Sequence, residues 1–424
     1  MPEIKKVCIV DGKRIPFVRS GTHYLGLSAQ DLVTAPVKAV VDNLGLKGEI
    51  LGEVMLGAVT KHAADFNLAR EAVMDSGLSP HTPTTDLQKA CGTSLEATIA
   101  IANKIALGQI ESGIAAGVDT NSEVPIEFKK EFSDRLMKVN YAKTFGQRLK
   151  AFKGFLPTEL APKIPSIVEK RTGLSMGEGC EEMAKQWKIP REDQDQLAYQ
   201  SHKNAGAAYE ADFFNDLVFE FKGVKKDTLV RADTSIEKLA KLRPAFDKSE
   251  TGTLTAGNSS SLTDGASAVF LCSEEYAKKK GLNVLAYFKT GQSAAVDYVH
   301  GEGLLMAPAY AVPQMLKREG LSLQDFDFYE IHEAFAAQVL CTLKAWEDEE
   351  FCKTKLGWDK ALGSIDRSKM NVKGGSIALG HPFAATGSRI VANLAKIINE
   401  KGSGRGLISI CTAGGMGVTA IIEK

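Results

Sequence analysis

Residues 371–387, NVKGGSIALGHPFAATG, and residues 407–417, LISICTAGGMG, bracket the run whose reading decides the fold. In the first segment a histidine followed by proline, His381-Pro382, stands among glycines; in the second, Cys411 ends a short apolar run before another glycine cluster. Glycines let backbone approach a ligand closely and expose N–H groups that can be aimed at developing charge. Between the two segments, the residues after Pro382 read as the start of a helix. A histidine and a cysteine in such a setting need a chemical partner from elsewhere in the chain, and Cys91 is the candidate.

Working outward, the same plan occurs a second time. CGTS, a helix-like run and GIAAGV at 91–118 parallel HPFAATG, a helix-like run and GLISIC at 381–411. Likewise APVKAVVDNLGLKGEILGEVMLGAV (35–59) is similar to APAYAVPQMLKREGLSLQDFDFYEIHEAFA (307–336). In each, Ala-Pro opens a helix, GL stands near its end, and an acidic connection leads to a strand. Two such halves would pack as sister units with a site between them. A chance likeness of short α/β segments is the plainer reading of the same pattern.

Residues 7–10 (VCIV) read as a buried strand, 31–44 have helical apolar spacing, and 51–59 is a strand. The alanine-rich run 95–108 predicts a helix and GIAAGV (113–118) a further strand. Strand–helix alternation predicts an α/β protein with a largely parallel sheet. The texture changes after about residue 122. From Phe128 to Lys153 there are eight Lys/Arg against two acids, then the proline-containing LPTELAPKIP and a polar helical stretch at 191–211. Glycine and alanine return with GTLTAGNSSSLTDGASAVFLC from residue 252. The expected organisation is a first half over 1–122 completed by 252–278, an inserted loop domain or lid over 123–251, and a second half over 279–424.

The chain has 424 residues, 44% hydrophobic and 25% charged, the make-up of an ordinary globular protein. Fifty-two basic residues balance 52 acidic ones, so no overall field points to nucleic acid. No secretory leader, membrane-spanning run or peroxisomal C-terminal address is read in the sequence. The seven cysteines are scattered, with no CxxC and no Cys/His pairing at zinc spacing, so reduced thiols, a cytoplasmic location and no metal are expected.

Cys91 precedes the helix at 95–108, with Gly92 permitting a tight turn and Thr93 or Ser94 available to cap. A thiol at a helix N-terminus feels the positive end of the dipole, which favours the nucleophilic thiolate; a buried structural cysteine is the alternative. His381 is the candidate base, since neutral imidazole can take a thiol proton near pH 7. His332, in EIHEAFAAQ just past a strand end, can donate to a developing oxyanion. Cys411 can exchange a proton with a carbon acid beside a thioester. A second reactive cysteine beside a Cys/His pair points to C–C bond chemistry more than hydrolysis. Cys8 and Cys272, in apolar runs, read as core.

The ordered set QKACGTS, GTLTAGNSSSLTDGASA, EIHEAFA, GGSIALGHPFAATG and CTAGGMG resembles the thiolase family over essentially the whole chain. Within that family the likeness is to the branch containing the β subunit of the fatty-acid oxidation trifunctional complex and its bacterial counterparts. That branch shares EIHEAFA-like and LGHPFxATG-like sequences, and a basic segment similar to KTFGQRLKAFKGFLP. The resemblance implies a thiolase-like α/β fold of two similar halves in five layers, with a loop domain inserted in the first. It implies that Cys91 is the acyl-accepting nucleophile, His381 its activator, and Cys411 the acid and base at the acetyl-CoA α-carbon. His332 would help hold the thioester oxyanion. A second oxyanion hole would come from the amides of Cys91 and Ala413, and Ser260 would contact the pantetheine arm of coenzyme A. No permanently bound cofactor is implied, coenzyme A being a co-substrate.

This chain departs from the family pattern in places. Many thiolases have Asn, holding a water, where His332 stands; the long-chain branch has His. Ala413 replaces the first of three glycines after the second cysteine, and a Cβ there narrows the allowed backbone. MGEGCEE (176–182) has Gly179 and Cys180 in place of Thr and Ala, which makes Cys180 a candidate third thiol near the site.

The activity implied is CoA-dependent cleavage of a 3-ketoacyl-CoA to acetyl-CoA and a shortened acyl-CoA through an acyl-cysteine, as in β-oxidation. An acetoacetyl-CoA-forming acetyl-CoA acetyltransferase, a Cys–His–His ketoacyl synthase and a non-catalytic acyl-CoA carrier are the alternatives. Cys411 argues against the synthase, whose carbanion comes from decarboxylation. By resemblance the partners are a homodimer or homotetramer mate and a hydratase/dehydrogenase α subunit. The basic stretch 128–153 reads as a solvated face, a coenzyme A phosphate attractor, or a membrane or subunit contact anchored by Phe128, Phe132, Tyr141, Phe145 and Phe152.

Overall fold

A computed structural model describes residues 4–163 and 168–424. The first three residues of MPEIKK and the last two of LPTELAPKIP lie outside the described residues. The first half runs β1 (Val7–Arg14), α1 (Ala29–Asn43), β2 (Glu53–Gly57), α2 (Leu68–Ser76), β3 (Thr84–Asp86), α3 (Thr93–Ala106) and β4 (Ser112–Asp119). Helices α4 (Lys130–Tyr141), α5 (Phe145–Ala151), α6 (Met176–Gln186) and α7 (Arg191–Glu210) follow, and β5 (Thr263–Ser273) returns to the first half. The second half runs β6 (Ala286–Ala295), α8 (Pro308–Glu319), β7 (Phe328–Ile331), α9 (Ala336–Glu347), α10 (Thr386–Lys401), β8 (Arg405–Thr412) and β9 (Met416–Glu423).

The strand order is β7-β8-β9-β6-β1-β5-β4-β2-β3. Counted outward from the junction, each half is wound alike: β1, β5, β4, β2, β3 in one and β6, β9, β8, β7 in the other. Beyond β7 a parallel bridge from Tyr329 to Met370 stands where the first half has β3. The first strands of the two halves meet antiparallel, Val7 opposite Phe288. The repeat in the sequence is therefore a repeat of structure. One detail differs: Ala307-Pro308 does open α8, but Pro36 lies inside α1, which begins at Ala29 with a capping box between Ser28 and Asp31.

The sheet is mixed, not largely parallel. β2 runs parallel to β3 and β4, and β7 to β8, whereas β5 and β9 are antiparallel to their neighbours. Strand β9 follows β8 through a three-residue turn, and a connection that short can only produce an antiparallel pair.

Side-chain alternation sorts the strands between layers. On β1, Cys8 and Val10 face an outer cluster under α1 and α2, while Val7 and Ile9 face a central cluster shared by both halves. On β8, Ile408 and Ile410 face that centre, and Leu407 and Cys411 face a third cluster with α8 and α9. The layers are helix, sheet, helix, sheet, helix. Helices α3 and α10 form the middle one, touching strands of both halves. Ile390, Leu394 and Ile398 recur at helical spacing on the buried face of α10, each contributing about 1.5–3 kcal/mol by burial. Gly387 lets the start of α10 reach α3: a Cβ there would lie 2.3 Å from the Leu95 amide nitrogen.

The segment 123–251 is not one detached lid. Cys180, Met183 and Ala184 of α6 and Leu197 and Ala198 of α7 are buried in the cluster under α9, so this part is core of the second half. Helix α4 has no buried residue. Arg135 ties this outlying hairpin, donating to Glu159 from Nε (2.6 Å) and to the carbonyls of Ala151, Lys153 and Gly154. Among the described residues no helix is long and apolar enough to cross a membrane.

Candidate active site

The middle layer sets up the site, because its two helices point their N-termini at the same place. Before α3, Ala90 takes a left-handed φ of 44°, and Thr93 Oγ1 closes the turn by accepting from Lys89 N and donating to Ala90 O. That turn presents Cys91. The sequence places the tight turn at Gly92, but Gly92 has an ordinary φ of −93°. Its lack of a side chain serves packing, since a Cβ would lie 2.5 Å from Val418 Cγ1. Neither Thr93 nor Ser94 caps the helix; Ser94 Oγ accepts from Ser388 N across the layer at 2.8 Å.

Ahead of α10, the turn at Gly380-His381-Pro382 carries His381 toward that cysteine. Its Nε2 lies 3.2 Å from Cys91 Sγ and its Nδ1 2.6 Å from Thr386 Oγ1. His332, at the end of β7, has its ring centroid 4.2 Å from that of His381, and its Nδ1 is 2.9 Å from Ser376 Oγ. Donor atoms of Cys91, His332 and His381 all lie within 4.8 Å of one another. Such a set could also hold a metal ion, something linear spacing does not reveal because the three residues come from distant segments.

Cys411, one residue before the end of β8, is buried in the third cluster and near enough to Cys91 for the two thiolate forms to oppose one another. In the turn that follows, Gly414 (φ 78°) and Gly415 (φ 68°) occupy the left-handed positions, while Ala413 is absent from the positive-φ residues. The Cβ of Ala413 is therefore unstrained, and its N–H points at the Cys91 sulfur. The Gly414 N–H is taken by Glu169 Oε1 at 2.6 Å.

Burial sets the protonation states. It pushes the Cys91 thiol up to about 12, against the amides of Ala413 and Cys91 itself, and so overrides the thiolate preference expected from the helix N-terminus. Burial lowers His381 to about 3 and His332 well below its usual range, and the Arg389 charge lowers both further. Cys411 is raised well above a normal thiol. The resting site is neutral: two thiols and two unprotonated imidazoles. At 3.2 Å, His381 Nε2 is placed to accept the Cys91 proton, a transfer that would generate a nucleophilic thiolate.

Several partners escaped the sequence reading. Thr386, Arg389 and Asn393 form a polar stripe at helical spacing on the otherwise buried α10, which is the signal that would have found them. Asn371, at φ 47°, clamps the end of β7 by bonding Ile331 N and O, and donates to Glu333. Glu333 also accepts from Ser201 Oγ (2.7 Å) and Ile377 N (3.2 Å). Cys180 lies with Cys341 and Cys411 in one buried cluster.

The stretch TAGNSSSL runs past both histidines, with bridges from Ser259 to Phe335 and from Leu262 to His381. It borders a cleft of about 460 Å³ lined by Ser259, Ser261 and Ile377, by the cations Arg19 and Arg231, and by Lys238 paired with Asp233 at 3.1 Å. Ser260 is half-buried, with its N–H bound to Ala334 O at 2.9 Å.

This fold and site define a class. Residues 7–275 match the thiolase N-terminal domain and residues 282–424 the thiolase C-terminal domain, and the chain belongs to the thiolase family, a family of acyltransferases. It is 40% identical to a 3-ketoacyl-CoA thiolase of Pectobacterium atrosepticum, covering 99% of this chain and 96% of that one. It is 41% identical to a 3-ketoacyl-CoA thiolase of Alteromonas mediterranea, covering 99% and 97%. Among solved structures, Bacillus anthracis acetyl-CoA acetyltransferase superposes with a TM-score of 0.81 at 30% identity, covering all of both chains. Human mitochondrial 3-ketoacyl-CoA thiolase in complex with CoA gives 0.80 at 29%, covering 99% of this chain and 98% of that one.

Proposed function

We propose that this chain is a 3-ketoacyl-CoA thiolase that cleaves its substrate with coenzyme A by a ping-pong route. The observation that carries the reading is the 3.2 Å contact between His381 Nε2 and Cys91 Sγ, with Cys411 beside it. Cys91 passes its proton to His381 and its sulfur attacks the C3 carbonyl. The C2–C3 bond breaks, its electron pair forms the acetyl-CoA enolate, and Cys411 protonates C2. Acetyl-CoA leaves, with the shortened acyl group on Cys91. Free coenzyme A then gives its thiol proton to the Cys411 thiolate and attacks the acyl carbonyl. Cys91 departs as thiolate and recovers its proton from His381. In both half-reactions the oxyanion is met by hydrogen-bond donors: His332 in one hole and the amides of Cys91 and Ala413 in the other. Coenzyme A is a co-substrate, and the cationic cleft beside Ser259 and Ser261 suits its phosphates, with Ser260 assigned to the pantetheine arm.

The test is to mix the protein with 3-ketoacyl-CoAs of short, medium and long chain plus free coenzyme A. Loss of enolate absorbance is expected; none at any length overturns the reading, and loss with acetoacetyl-CoA alone favours an acetyl-CoA acetyltransferase.

The enzyme is assigned to the cytoplasm as a homodimer or homotetramer, able to join a hydratase/dehydrogenase α subunit. Fractionation, sedimentation and co-purification test these points in turn. For the hairpin α4–α5 we favour an anionic lipid surface. Phe128 packs on Phe132, and Phe132 and Phe152 on Phe155, but Tyr141 and Phe145 are 74% and 75% exposed among Lys138, Lys143 and Arg148. Vesicle binding unchanged after charge reversal at Lys143, Arg148 and Lys150 would refute this.

A further inference from the structure

One chain of contacts leads away from the reacting atoms into the core. Ser376 Oγ, fully buried, lies 2.9 Å from His332 Nδ1 and accepts from an Arg389 terminal nitrogen at 2.7 Å. Arg389 is buried too, with the carboxylate of buried Glu330 4.0 Å from its other terminal nitrogen. His332 Nε2 is buried and has no protein partner, and with Nδ1 held by Ser376 it is the ring nitrogen left free.

These contacts decide which nitrogen of His332 carries the proton. A guanidinium can only donate, so it fills an acceptor lone pair of Ser376 Oγ. The Ser376 hydroxyl hydrogen then has one acceptor within reach among the described residues, the Nδ1 of His332. If Nδ1 carried the proton instead, that hydroxyl hydrogen would be left buried without an acceptor, and His332 Nε2 would be a bare acceptor facing the site. With the proton on Nε2, the contact is satisfied and an N–H is left free as a donor. We infer that Arg389, acting through Ser376, is a positioning residue that holds His332 as the Nε2–H tautomer, so that this side chain donates a hydrogen bond to the thioester oxyanion. His381 requires the opposite tautomer, because its Nε2 must be free to take the Cys91 proton and its Nδ1–H then donates to Thr386 Oγ1. Two adjacent imidazoles are thereby given a donor and an acceptor task by their hydroxyl partners. Glu330 is the acid beside the guanidinium, but burial pushes its carboxyl up to about 8 even with Arg389 opposing, and at 4.0 Å the two do not hydrogen-bond.

The inference rests on the thiolase reading and on His332 as an oxyanion donor, and its first readout is independent of activity. Two-dimensional ¹H–¹⁵N correlation on histidine-labelled protein, with the His332 signals assigned by His332→Asn, should show Nε2 protonated and Nδ1 bare at neutral pH. A His332 protonated at Nδ1 in the native protein overturns the proposal without any variant being made. Ser376→Ala and Arg389→Met should each give a mixture of tautomers and lower kcat by about 100-fold, with KM within about threefold. Ser376→Thr and Arg389→Lys, which keep the hydroxyl and the donor, should retain the native tautomer and most of the rate. An unchanged tautomer in Ser376→Ala overturns the inference, as does a shifted tautomer with full turnover. Failure of the thiolase reading would look different: no acyl adduct on Cys91 in the native protein, whatever the His332 tautomer.

Discussion

The imidazoles of His332 and His381 lie 4.2 Å apart at an interplanar angle of 51°, and neither is charged in the resting site. Two imidazoliums could not stand so close in a buried setting. Burial keeps both neutral, and the positive charge of Arg389 behind them adds to that effect.

That state predicts how Cys91 reacts in the free enzyme. With its thiol pushed up to about 12 and His381 down to about 3, there is no resting thiolate–imidazolium pair. Alkylation of Cys91 by iodoacetamide, followed by mass spectrometry, should accelerate about tenfold per pH unit from 6 to 9. A plateau near neutrality would show an ion pair.

Acid stability follows from the same residues. The unfolded chain protonates histidine near pH 6.5, while folded His381 resists protonation down to about 3. The unfolded state therefore binds more protons between these values, and stability should fall as pH drops through 6.5. Urea midpoints of His381→Asn should be flatter with pH over that window than those of the native protein.

The two cysteines should separate by half-reaction. Cys91→Ser should lose the acyl adduct and at least about 1,000-fold in turnover. Cys411→Ala should still be acylated by a simple acyl-CoA, yet lose about 100-fold or more in C–C bond cleavage. Full cleavage by Cys411→Ala would remove it from the acid/base role.

Thr386 anchors the base at 2.6 Å. Thr386→Val should lower kcat about tenfold by freeing the ring to adopt the wrong tautomer, and Thr386→Ser should restore it. Steady-state kinetics of the two variants checks this.

Gly387→Ala tests the contact between the halves. Its Cβ would meet backbone of α3, which cannot move aside as a flexible side chain would. A loss of about 1–3 kcal/mol by denaturant melts is expected, together with a larger fall in kcat, because the contact also sets the distance from His381 to Cys91.

Local periodicity made α3 and the strand β4 legible, since each is long enough to display its pattern. The antiparallel direction of β5 was not, because a strand's direction depends on what it returns to, here across the stretch between β4 and β5. The stretch of α7 read as polar and that of α6 as part of the same insertion, yet Cys180, Met183, Ala184, Leu197 and Ala198 are core of the second half. The left-handed turn falls at Ala90, not Gly92, and Gly92 instead clears Val418, a contact made only after both halves fold.

By itself the sequence determined the chemistry on offer: which residue types stand beside glycine turns and helix starts, and the duplication that carries them twice. Those are local properties, set by spacing and backbone freedom. Only the tertiary structure decided that Cys91 and His381, 290 positions apart, stand 3.2 Å from one another. It also decided that burial leaves the Cys91 proton on sulfur, and that Ser376 and Arg389 stand behind His332. Desolvation, hydrogen-bond direction and contact across the middle layer exist only once the two halves close on each other.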